Sequence, residues 1–422
     1  MKCGFQDEPV FPEVGIIALV NDRWETGWRS RHQVLSRLAC YFPVVWMNPS
    51  LDRTEFTPQA ILHRISREKY NRFVPNLDGY DAIPWLPKFH KPKQFANWLT
   101  KERLLRARRM LERRGCKRVI LYIWDPSYSL TLNLIKHDLS CYHIVDEYSF
   151  SVEEQPLTAV EFELIQRVDQ VFIHSPALVQ KKGHINPATK VIPNGVDFEA
   201  FSQPTKEPAD MELIPHPRIG YVGLIKMQLD LDLLIKLSDR HPHWSFVFAG
   251  PQGNVGDRAC LVDELSRHPN VYFLGSKEIE SLPAYIQHMD VCMLCYKDND
   301  YTKYIYPLKL HEYLAAGQPV VGTPICTLRD FKHVIRLART VDDWSTAICE
   351  SLEKNESNDI LELRRNVARQ HDWYVLVRQI AHALCVHLGS DYVTRLSTIK
   401  DYPVTTNKQE AGLTLPGCEL DT

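Results

Sequence analysis

The stretch that decides the fold reads Tyr306-Pro-Leu-Lys-Leu-His-Glu-Tyr-Leu-Ala-Ala-Gly-Gln-Pro-Val-Val-Gly-Thr323. Pro307 predicts the start of a helix, because a proline in the first helical position lacks only an N–H that has no helical partner there. Apolar residues follow at helical spacing, and Gly317 with Pro319 predicts the end of the helix. The Val-Val-Gly run then predicts a strand. A helix that leads directly into a strand is typical of an α/β protein.

The start of this helix also has the chemistry of an anion site. Free N–H groups and the helix dipole favour an anion at the N-terminus, and Lys309 adds a positive charge in the first turn. Glu312, one turn later, can accept hydrogen bonds from the two hydroxyls of a ribose. The pattern therefore predicts a nucleoside diphosphate pocket. The alternative is an ordinary helix whose Lys309 and Glu312 lie in solvent.

Short apolar runs alternate with helix-length patterns along the chain, which predicts parallel sheets covered by helices on both faces. The predicted strands are Val14–Val20, Val44–Met47, Val119–Ile123, Tyr142–Val145, Val171–Ile173, Lys190–Ile192, Arg218–Val222, Ser245–Phe248, Val271–Leu274, Val291–Cys295 and Pro319–Gly322. The predicted helices include Ser30–Cys40, Asn97–Arg114, Asp230–Asp239, Asp257–His268 and Leu308–Ala316.

A proline-rich segment interrupts this alternation and predicts a linker between two α/β domains. The predicted parts are a first domain at 1–197, a linker at 198–217, a second domain at 218–370, a helix at 371–389 that returns to the first domain, and a flexible tail at 390–422. Two doubly wound domains that face each other bind ligands at the carboxyl ends of their parallel strands, which form the walls of the cleft.

The composition is that of an ordinary globular protein. The 422 residues carry a formal net charge of −2, with 44% hydrophobic and 24% charged residues. No signal peptide and no span of 18 apolar residues is readable, which predicts a cytoplasmic protein. The eleven cysteines lie scattered in apolar runs and predict buried thiols rather than a disulfide framework. Cys292 and Cys295 form a C-x-x-C within such a run, which favours a strand core over a metal or redox site.

The segment 306–321 resembles the donor-binding signature of glycosyltransferase family four, whose members have the GT-B fold. Further similar segments are Val191-Ile-Pro-Asn-Gly-Val-Asp197, Ile219-Gly-Tyr-Val-Gly223, Phe246-Val-Phe-Ala-Gly-Pro251 and Asn270-Val-Tyr-Phe-Leu-Gly275. The resemblance spans about residues 14–385. It implies two Rossmann-like domains that face each other across a cleft.

The resemblance also implies which residues bind a nucleotide sugar, with Glu312 on the ribose. The predicted donor-binding residues are Gly223, Lys226, Gly250, Tyr306, Pro307, Leu308, Lys309 and Glu312. The chain departs from the family pattern at two positions. Tyr304 stands where many relatives have a second Glu that contacts the donor sugar, and Leu224 stands where an Arg is common. Lys226 is the nearest cation after the glycine loop, and Lys309 is a second candidate for the diphosphate.

The first domain contributes two kinds of predicted cleft residue. A loop after the first strand carries Arg29, Arg31 and His32, which can contact an acceptor or the donor phosphates; surface charge on a helix is the alternative. Asp125 and Asp146 each follow a strand, and the resemblance implies that such residues lie beside the reacting carbon. Strand-ending Asp residues also cap helices, so a structural role stays open for both. The loop lacks the G-x-G-x-x-G pattern, which disfavours a nicotinamide or flavin cofactor.

A strongly basic segment lies at 88–118, where twelve Lys or Arg stand against Glu102 and Glu112. Aromatic and leucine residues lie between them. Basic amphipathic helices of this kind bind anionic bilayers, so the segment predicts peripheral attachment at the inner membrane face. The alternative is a solvated helix whose apolar stripe packs on the first domain. No nucleic-acid-binding module surrounds it, so we expect no nucleic acid partner.

The resemblance implies transfer of a sugar from a UDP-, GDP- or dTDP-sugar to a hydroxyl acceptor, with retained configuration. We expect the acceptor to be a glycan or a lipid-linked molecule in polysaccharide or glycoconjugate synthesis. We expect no bound cofactor and no metal, although Asp230-Leu-Asp232 and Asp298-Asn-Asp300 are D-x-D triplets. Two alternatives stay open, a sugar-nucleotide 2-epimerase of the same fold and a catalytically silent nucleotide-sugar-binding scaffold.

Overall fold

The computed structural model describes residues 8–25, 28–49, 72–81, 92–148, 154–353 and 358–399. Within these ranges the chain forms two sheets covered by helices. The predicted α/β architecture with two Rossmann-like domains is confirmed.

The first sheet contains eight strands in the order β3-β4-β2-β1-β5-β6-β7-β8. Its strands are β1 Val14–Leu19, β2 Val44–Met47, β3 Arg72–Val74, β4 Leu77–Tyr80, β5 Arg118–Ile123, β6 Leu139–Ile144, β7 Gln170–Ile173 and β8 Thr189–Val191. All neighbours pair in parallel except β3 and β4, which are antiparallel at the edge. The central strands are buried throughout, as parallel strands covered on both faces must be.

The second sheet contains six strands in the order β11-β10-β9-β12-β13-β14. Its strands are β9 Arg218–Val222, β10 Ser245–Ala249, β11 Val271–Gly275, β12 Val291–Leu294, β13 Val320–Gly322 and β14 Arg336–Leu337. Every pair in this sheet is parallel. The order reverses between β9 and β12, and parallel sheets bind ligands outside the carboxyl ends of the strands at such a point.

Helices connect the strands and cover both sheets. They are α1 Ser30–Leu38, α2 Lys93–Arg113, α3 Thr131–Leu134, α4 Ala159–Arg167, α5 Pro176–Lys182, α6 Phe198–Ser202, α7 Leu231–Arg240, α8 Ala259–Ser266, α9 Leu282–Gln287, α10 Leu308–Ala316, α11 Cys326–Arg329, α12 Val341–Leu352, α13 Asn358–Gln370, α14 Trp373–Leu388 and α15 Ser390–Thr398. No helix in the described ranges is both long and apolar enough to cross a bilayer.

The chain passes between the domains twice, near Val196 and near His371, and the two segments are hydrogen-bonded to each other. The N–H of Val196 donates to the His371 carbonyl at 3.0 Å, and the N–H of Trp373 donates back to Val196 at 2.9 Å. Gly195 permits this approach, since a Cβ there would lie 2.4 Å from the His371 carbonyl oxygen. Beyond this crossing, α14 packs its apolar face into the same core as β1 and β5 of the first sheet.

Two features differ from the sequence-based expectations. Strand β4 and the edge strands β3 and β14 were not predicted, because each is only two to four residues long. The predicted flexible tail is wrong for α15, since Leu396 is buried against the first domain and Arg395 pairs with Glu13. The rest of the predicted tail, residues 400–422, lies outside the described residues.

The cysteines largely follow the expectation. Eight of those in the described ranges are free, and both members of the C-x-x-C are buried at β12. Burial raises the pKa of Cys295 to about 12, which makes its thiol inert. Cys326 is an exception, since it takes part in a disulfide bond.

Candidate active site

The candidate site lies at the carboxyl edge of the second sheet, where Gly223 follows the end of β9 and Gly250 follows the end of β10. Gly223 donates its N–H to Ala249 at 2.7 Å, and Gly250 has a φ of 152°. A Cβ on Gly250 would lie 2.2 Å from the Gly223 carbonyl oxygen, so no larger residue fits there. The two predicted glycines therefore form one closely packed backbone surface.

Helix α10 begins at the same edge, and its first turn carries Lys309. Pro307 is the residue just before the helix, one position earlier than predicted, and Gly317 ends the helix in the left-handed conformation at φ 84°. The Lys309 ammonium lies 5.0 Å from the centroid of the Tyr221 ring. Burial lowers the pKa of Lys309 to about 8, with the Glu312 carboxylate acting to raise the pKa and the neighbouring Lys226 acting to lower it. A cation under these conditions is stabilised by a bound anion.

Glu312 lies one turn after Lys309 on α10, partly accessible to solvent and surrounded by protein on most sides. Burial raises the pKa of Glu312, and the Lys309 charge acts in the opposite direction. Tyr221 and Tyr296 lie close enough for the Glu312 charge to raise the pKa of both phenols. The helix thus presents one cation and one carboxylate at the sheet edge.

Lys226 lies on the loop after Gly223 and connects this site to the first domain. Burial lowers the pKa of Lys226, the Asp146 carboxylate raises it, and the Arg29 guanidinium lowers it. Asp146 and Arg29 belong to the first domain, so the structure brings predicted residues from both sides of the cleft together. Lys226 and Lys309 are also within electrostatic reach of each other.

The three residues predicted at the start of α1, Arg29, Arg31 and His32, have different environments. His32 is fully buried, accepts from the Arg29 N–H at 3.2 Å and lies 3.1 Å from the Trp24 carbonyl. Its Nδ1 is thus an acceptor, so Nε2 carries the proton, and burial lowers the His32 pKa to about 4. The prediction that His32 contacts a ligand is therefore corrected, because both ring nitrogens are engaged by backbone.

Arg29 and Arg31 share one carboxylate. Arg31 pairs with Asp22 at 2.8 Å and has 12% of its side chain exposed, whereas Arg29 lies 3.5 Å from the same residue and is 55% exposed. Arg31 is therefore fixed by its ion pair. Arg29 makes the longer contact and is the more exposed, so it is the better placed of the two to reach a ligand in the cleft.

The two predicted catalytic carboxylates also differ in their environments. Asp125 accepts from the Ser127 N–H at 2.9 Å and caps the short helix Pro126–Tyr128, so the capping alternative holds for it. Asp146 is exposed and accepts from the Glu147 N–H at 2.8 Å and from the Tyr301 hydroxyl at 3.1 Å. Tyr301 belongs to the second domain.

The remaining predicted donor residues shape the approach to α10. The Tyr306 hydroxyl lies 2.9 Å from His311 Nε2, and the Tyr306 carbonyl accepts from Asn194 at 2.7 Å. Pro307 is buried, and Leu308 packs against the first-domain core. These residues position the helix start rather than present polar side chains to a ligand.

The D-x-D triplets have structural partners. Asp230 caps α7 through the Leu233 N–H at 3.1 Å, and Asp232 pairs with Arg258. Asp298 lies near Arg339, and Asp300 pairs with Lys303. In the described ranges no group of three or more His, Cys, Asp or Glu residues could hold a metal ion. Independence from metal stays a prediction.

Comparisons with known proteins agree with this architecture. A family model described as "Glycosyl transferases group 1" matches residues 216–354. A putative teichuronic acid biosynthesis glycosyltransferase, TuaH of Bacillus subtilis (strain 168), is 30% identical over 285 residues, which are 63% of this chain and 71% of that protein. This chain belongs to the group 1 glycosyltransferase family. The protein is therefore an enzyme of nucleotide-sugar-dependent glycosyl transfer.

Solved structures confirm the GT-B fold of this glycosyltransferase. A trehalose-6-phosphate protein from E. coli bound with UDP-2-fluoro glucose superimposes with a TM-score of 0.60 at 11% identity, over 92% of this chain and 100% of that chain. The lipopolysaccharide outer core galactosyltransferase WaaB superimposes with a TM-score of 0.55 at 13% identity, over 88% and 98% of the two chains. At such low identities the likeness shows the fold alone.

Sequence reasoning missed two tyrosines near the site of this glycosyltransferase. Tyr221 lies inside the segment Ile219-Gly-Tyr-Val-Gly223, and its ring faces Lys309. Its strand position and alternation with Val222 were readable signals. Tyr301 lies in a loop with no periodic pattern, so nothing in the sequence indicated that its hydroxyl reaches Asp146.

Proposed function

We propose that this glycosyltransferase binds the diphosphate of its donor between Lys226 and Lys309. One observation carries the proposal: two cations whose pKa values are lowered by burial meet beside Gly223, at the N-terminus of α10. Two neighbouring, partly buried ammonium groups repel each other, and a diphosphate relieves both the repulsion and the loss of water. The free N–H groups of the helix start add donors for the same anion.

The ribose is the proposed partner of Glu312. It lies one helical turn from Lys309, so the two side chains are neighbours on one face of α10 and can contact neighbouring parts of one nucleotide. The E. coli protein of this fold has UDP-2-fluoro glucose bound, which makes UDP-sugars the first donors to test. GDP- and dTDP-sugars are the other members of the proposed donor class.

The proposed reaction is transfer to an acceptor hydroxyl with retained configuration. The bond between the anomeric carbon and the diphosphate oxygen breaks, a bond to the acceptor oxygen forms, and the hydroxyl proton leaves with the nucleoside diphosphate. Lys226 and Lys309 stabilise the negative charge that develops on the leaving group. Asp146, with Arg29 beside it, is the proposed polar partner of the sugar or of the acceptor hydroxyl, and Asp125 and Arg31 support the same wall.

The proposed acceptor is a glycan or a lipid-linked molecule in polysaccharide or glycoconjugate biosynthesis. The name of the B. subtilis relative, a putative teichuronic acid biosynthesis glycosyltransferase, supports this class of product. We propose a cytoplasmic location for the enzyme, where sugar nucleotides are available.

The outer face of α2 supports a peripheral attachment to an anionic membrane. Trp98 is 54% exposed and stacks on Phe95 with ring centroids 5.8 Å apart. Arg106, Arg109 and Arg113 are exposed about two to four turns further on, at spacings that place them on the same side of the helix. The opposite side, with Leu104 and Leu111, packs in the domain core. Residues 88–91 of the predicted basic segment lie outside the described residues.

We also propose the domain limits given by the sequence, with the first domain ending at 197 and the second spanning 218–370. The segment 371–389 returns to the first domain in this proposal. The shared core of α14 and the first sheet supports it.

A panel of UDP-, GDP- and dTDP-sugars tests the function, first by thermal shift and then by release of nucleotide with acceptor extracts present. We expect one donor to stabilise the protein and to release its nucleotide only with acceptor. Absence of stabilisation by every sugar nucleotide would contradict the donor pocket. Binding without release would favour a silent scaffold, for which Tyr304 in place of the usual Glu is the supporting observation. Turnover without acceptor would favour an epimerase.

A further inference from the structure

Tyr301 lies in a tight turn that leads into α10. The Asn299 side-chain oxygen accepts from the N–H groups of Tyr301 at 3.1 Å and of Thr302 at 3.0 Å. The Thr302 hydroxyl is buried and donates to the Lys297 carbonyl at 2.5 Å. These bonds fix the backbone of the turn and therefore the position from which the Tyr301 side chain starts.

The Tyr301 hydroxyl crosses from the second domain to the first. It donates to Asp146 Oδ1 at 3.1 Å, and the Glu147 N–H donates to the same oxygen at 2.8 Å. Within the described part of the chain no hydrogen bond goes to Oδ2. One oxygen of the carboxylate is thus held by two donors, and the other is available to a substrate hydroxyl.

Asp146 also lies within the field of Lys226. Lys226 and Tyr301 come from different loops of the second domain, and both act on this one carboxylate of the first domain. A carboxylate held at a single oxygen by backbone alone can rotate about its last torsion, whereas a second donor from another direction selects one rotamer. The second hydrogen-bond donor is the Tyr301 hydroxyl, which belongs to the domain that carries the nucleotide-sugar pocket.

We propose that Tyr301 is a positioning residue for glycosyl transfer, which orients the Asp146 carboxylate when the two domains meet. This inference rests on the proposed function of Asp146 at the reacting end of the cleft. Its consequence is that the acceptor side of the site is complete only when the donor domain lies against it. Tyr301 does not touch the diphosphate pocket in this assignment, so it acts on turnover and leaves nucleotide binding unchanged.

Another pair of contacts from the same turn serves as a comparison. Lys303 pairs with Glu154 at 2.6 Å, Tyr304 hydrogen-bonds the same carboxylate, and Lys181 lies 3.0 Å from it. Glu154 is partly exposed, and ion pairs of this kind contribute little to stability. These contacts hold the turn against the first domain without reaching a predicted site residue, so closure of the cleft does not depend on Tyr301 alone.

The test measures kcat and donor KM for Tyr301→Phe, Asp146→Asn and the double variant, using the sugar nucleotide of the panel that is turned over. Tyr285→Phe is the matched control, because the Tyr285 hydroxyl also donates to a carboxylate, Asp210, at 2.9 Å, and neither residue is a predicted site residue. We expect Tyr301→Phe to lower kcat about 10-fold, the effect of one hydrogen bond to a charged group, with donor KM and the Kd for UDP within about twofold.

The double variant decides how Tyr301 acts. If Tyr301 works through Asp146, the double variant is no slower than Asp146→Asn alone. The inference is overturned if the two losses multiply, if Tyr301→Phe behaves like Tyr285→Phe, or if Asp146→Asn leaves kcat unchanged. If UDP still binds in any of these cases, the proposed diphosphate pocket is unaffected and only the role of Tyr301 is rejected. If the unaltered protein does not bind UDP or any other nucleotide of the panel, the proposed function is contradicted instead.

Discussion

Lys309 lies directly against the face of Gly223 that a side chain would occupy. A Cβ at Gly223 would lie 2.2 Å from Lys309 Cε and 2.7 Å from its Nζ, and Gly223 has a φ of 137°. The glycine thus serves two purposes at once, since it adopts a conformation that disfavours side chains and leaves room for the ammonium group. This contact joins the end of β9 to the first turn of α10 and forms the floor of the proposed diphosphate pocket.

Replacement of Gly223 by Ala is expected to abolish detectable UDP binding, because the added methyl displaces the Lys309 side chain. Isothermal titration with UDP measures the effect. Gly115→Ala is the matched control, since Gly115 also has a positive φ of 91° and has no atom within 4 Å of the added methyl. The control carries the backbone strain without the collision. Equal UDP affinity in both variants would contradict the pocket.

Lys309→Met is expected to weaken UDP binding at least 10-fold and to leave uridine binding, if measurable, unchanged. The same variant is expected to raise the melting temperature of the ligand-free protein by about 2 °C, because it removes a partly buried cation. A structural lysine would show the opposite change in stability. Differential scanning calorimetry with and without UDP separates the two.

The pKa of Lys309 also gives that experiment a pH dependence. At a pKa of about 8 the ligand-free side chain loses its charge as the pH rises above that value. We therefore expect the Kd for UDP to increase between pH 7 and pH 9.5 in the unaltered protein and to increase less in Lys309→Met, in which Lys226 alone remains. A flat profile in the unaltered protein would contradict the role of this charge.

Glu312→Ala is expected to raise the Kd for UDP about 10- to 100-fold, the effect of losing hydrogen bonds between a carboxylate and the ribose. The loss should be much smaller for inorganic pyrophosphate, which has no ribose. Glu264→Ala, on the exposed side of α8, is the matched helical control and should bind UDP normally. Equal losses for UDP and pyrophosphate would place Glu312 with the phosphates instead.

Mild acid is expected to destabilise the fold through buried histidines. Burial lowers the pKa values of His32, His174 and His371 to about 4. Between about pH 6.5 and pH 4 the unfolded chain binds protons at these sites and the folded chain does not, so the free energy of unfolding falls as pH falls. Each residue should cost on the order of 1–2 kcal/mol at pH 5.

Urea unfolding at pH 7 and pH 5 measures this loss. His174→Gln should show a smaller loss than the unaltered protein, because glutamine does not titrate. His184→Gln, at an exposed position, should show the full loss. Identical pH dependence in both variants would mean that His174 does not contribute.

Charge reversal on the outer face of α2 tests the membrane proposal. Arg106→Glu, Arg109→Glu and Arg113→Glu together should abolish salt-sensitive pelleting with vesicles of phosphatidylglycerol and phosphatidylcholine. Lys236→Glu, Arg267→Glu and Lys332→Glu, exposed on the second domain, change the net charge equally and should leave pelleting intact. Trp98→Ala should weaken pelleting with these vesicles at high salt as well as at low salt. Unchanged pelleting of the α2 variant would reject this face.

Much of the second domain was readable because its elements are local. The helix from Leu308 to Ala316 was predicted with its start and end, since proline and glycine act within one or two residues of their own positions. The edge strands and α15 were not predicted, because strands of two to four residues carry too little periodicity and the α15 residues gain their burial only from the first domain.

The candidate site also contains some features that local sequence patterns predict and others that depend on tertiary contacts. Lys309 and Glu312 share a helix face by backbone periodicity, so the sequence by itself determined that a cation and a carboxylate lie one turn apart beside a helix N-terminus. Only the tertiary structure decided that Gly223 lies over Lys309, that Lys226 meets Asp146 and Arg29, and that Tyr301 reaches Asp146. Those pairs are separated by 80 residues or more along the chain. Their contacts depend on strand order and on how the domains pack, and no local pattern encodes either.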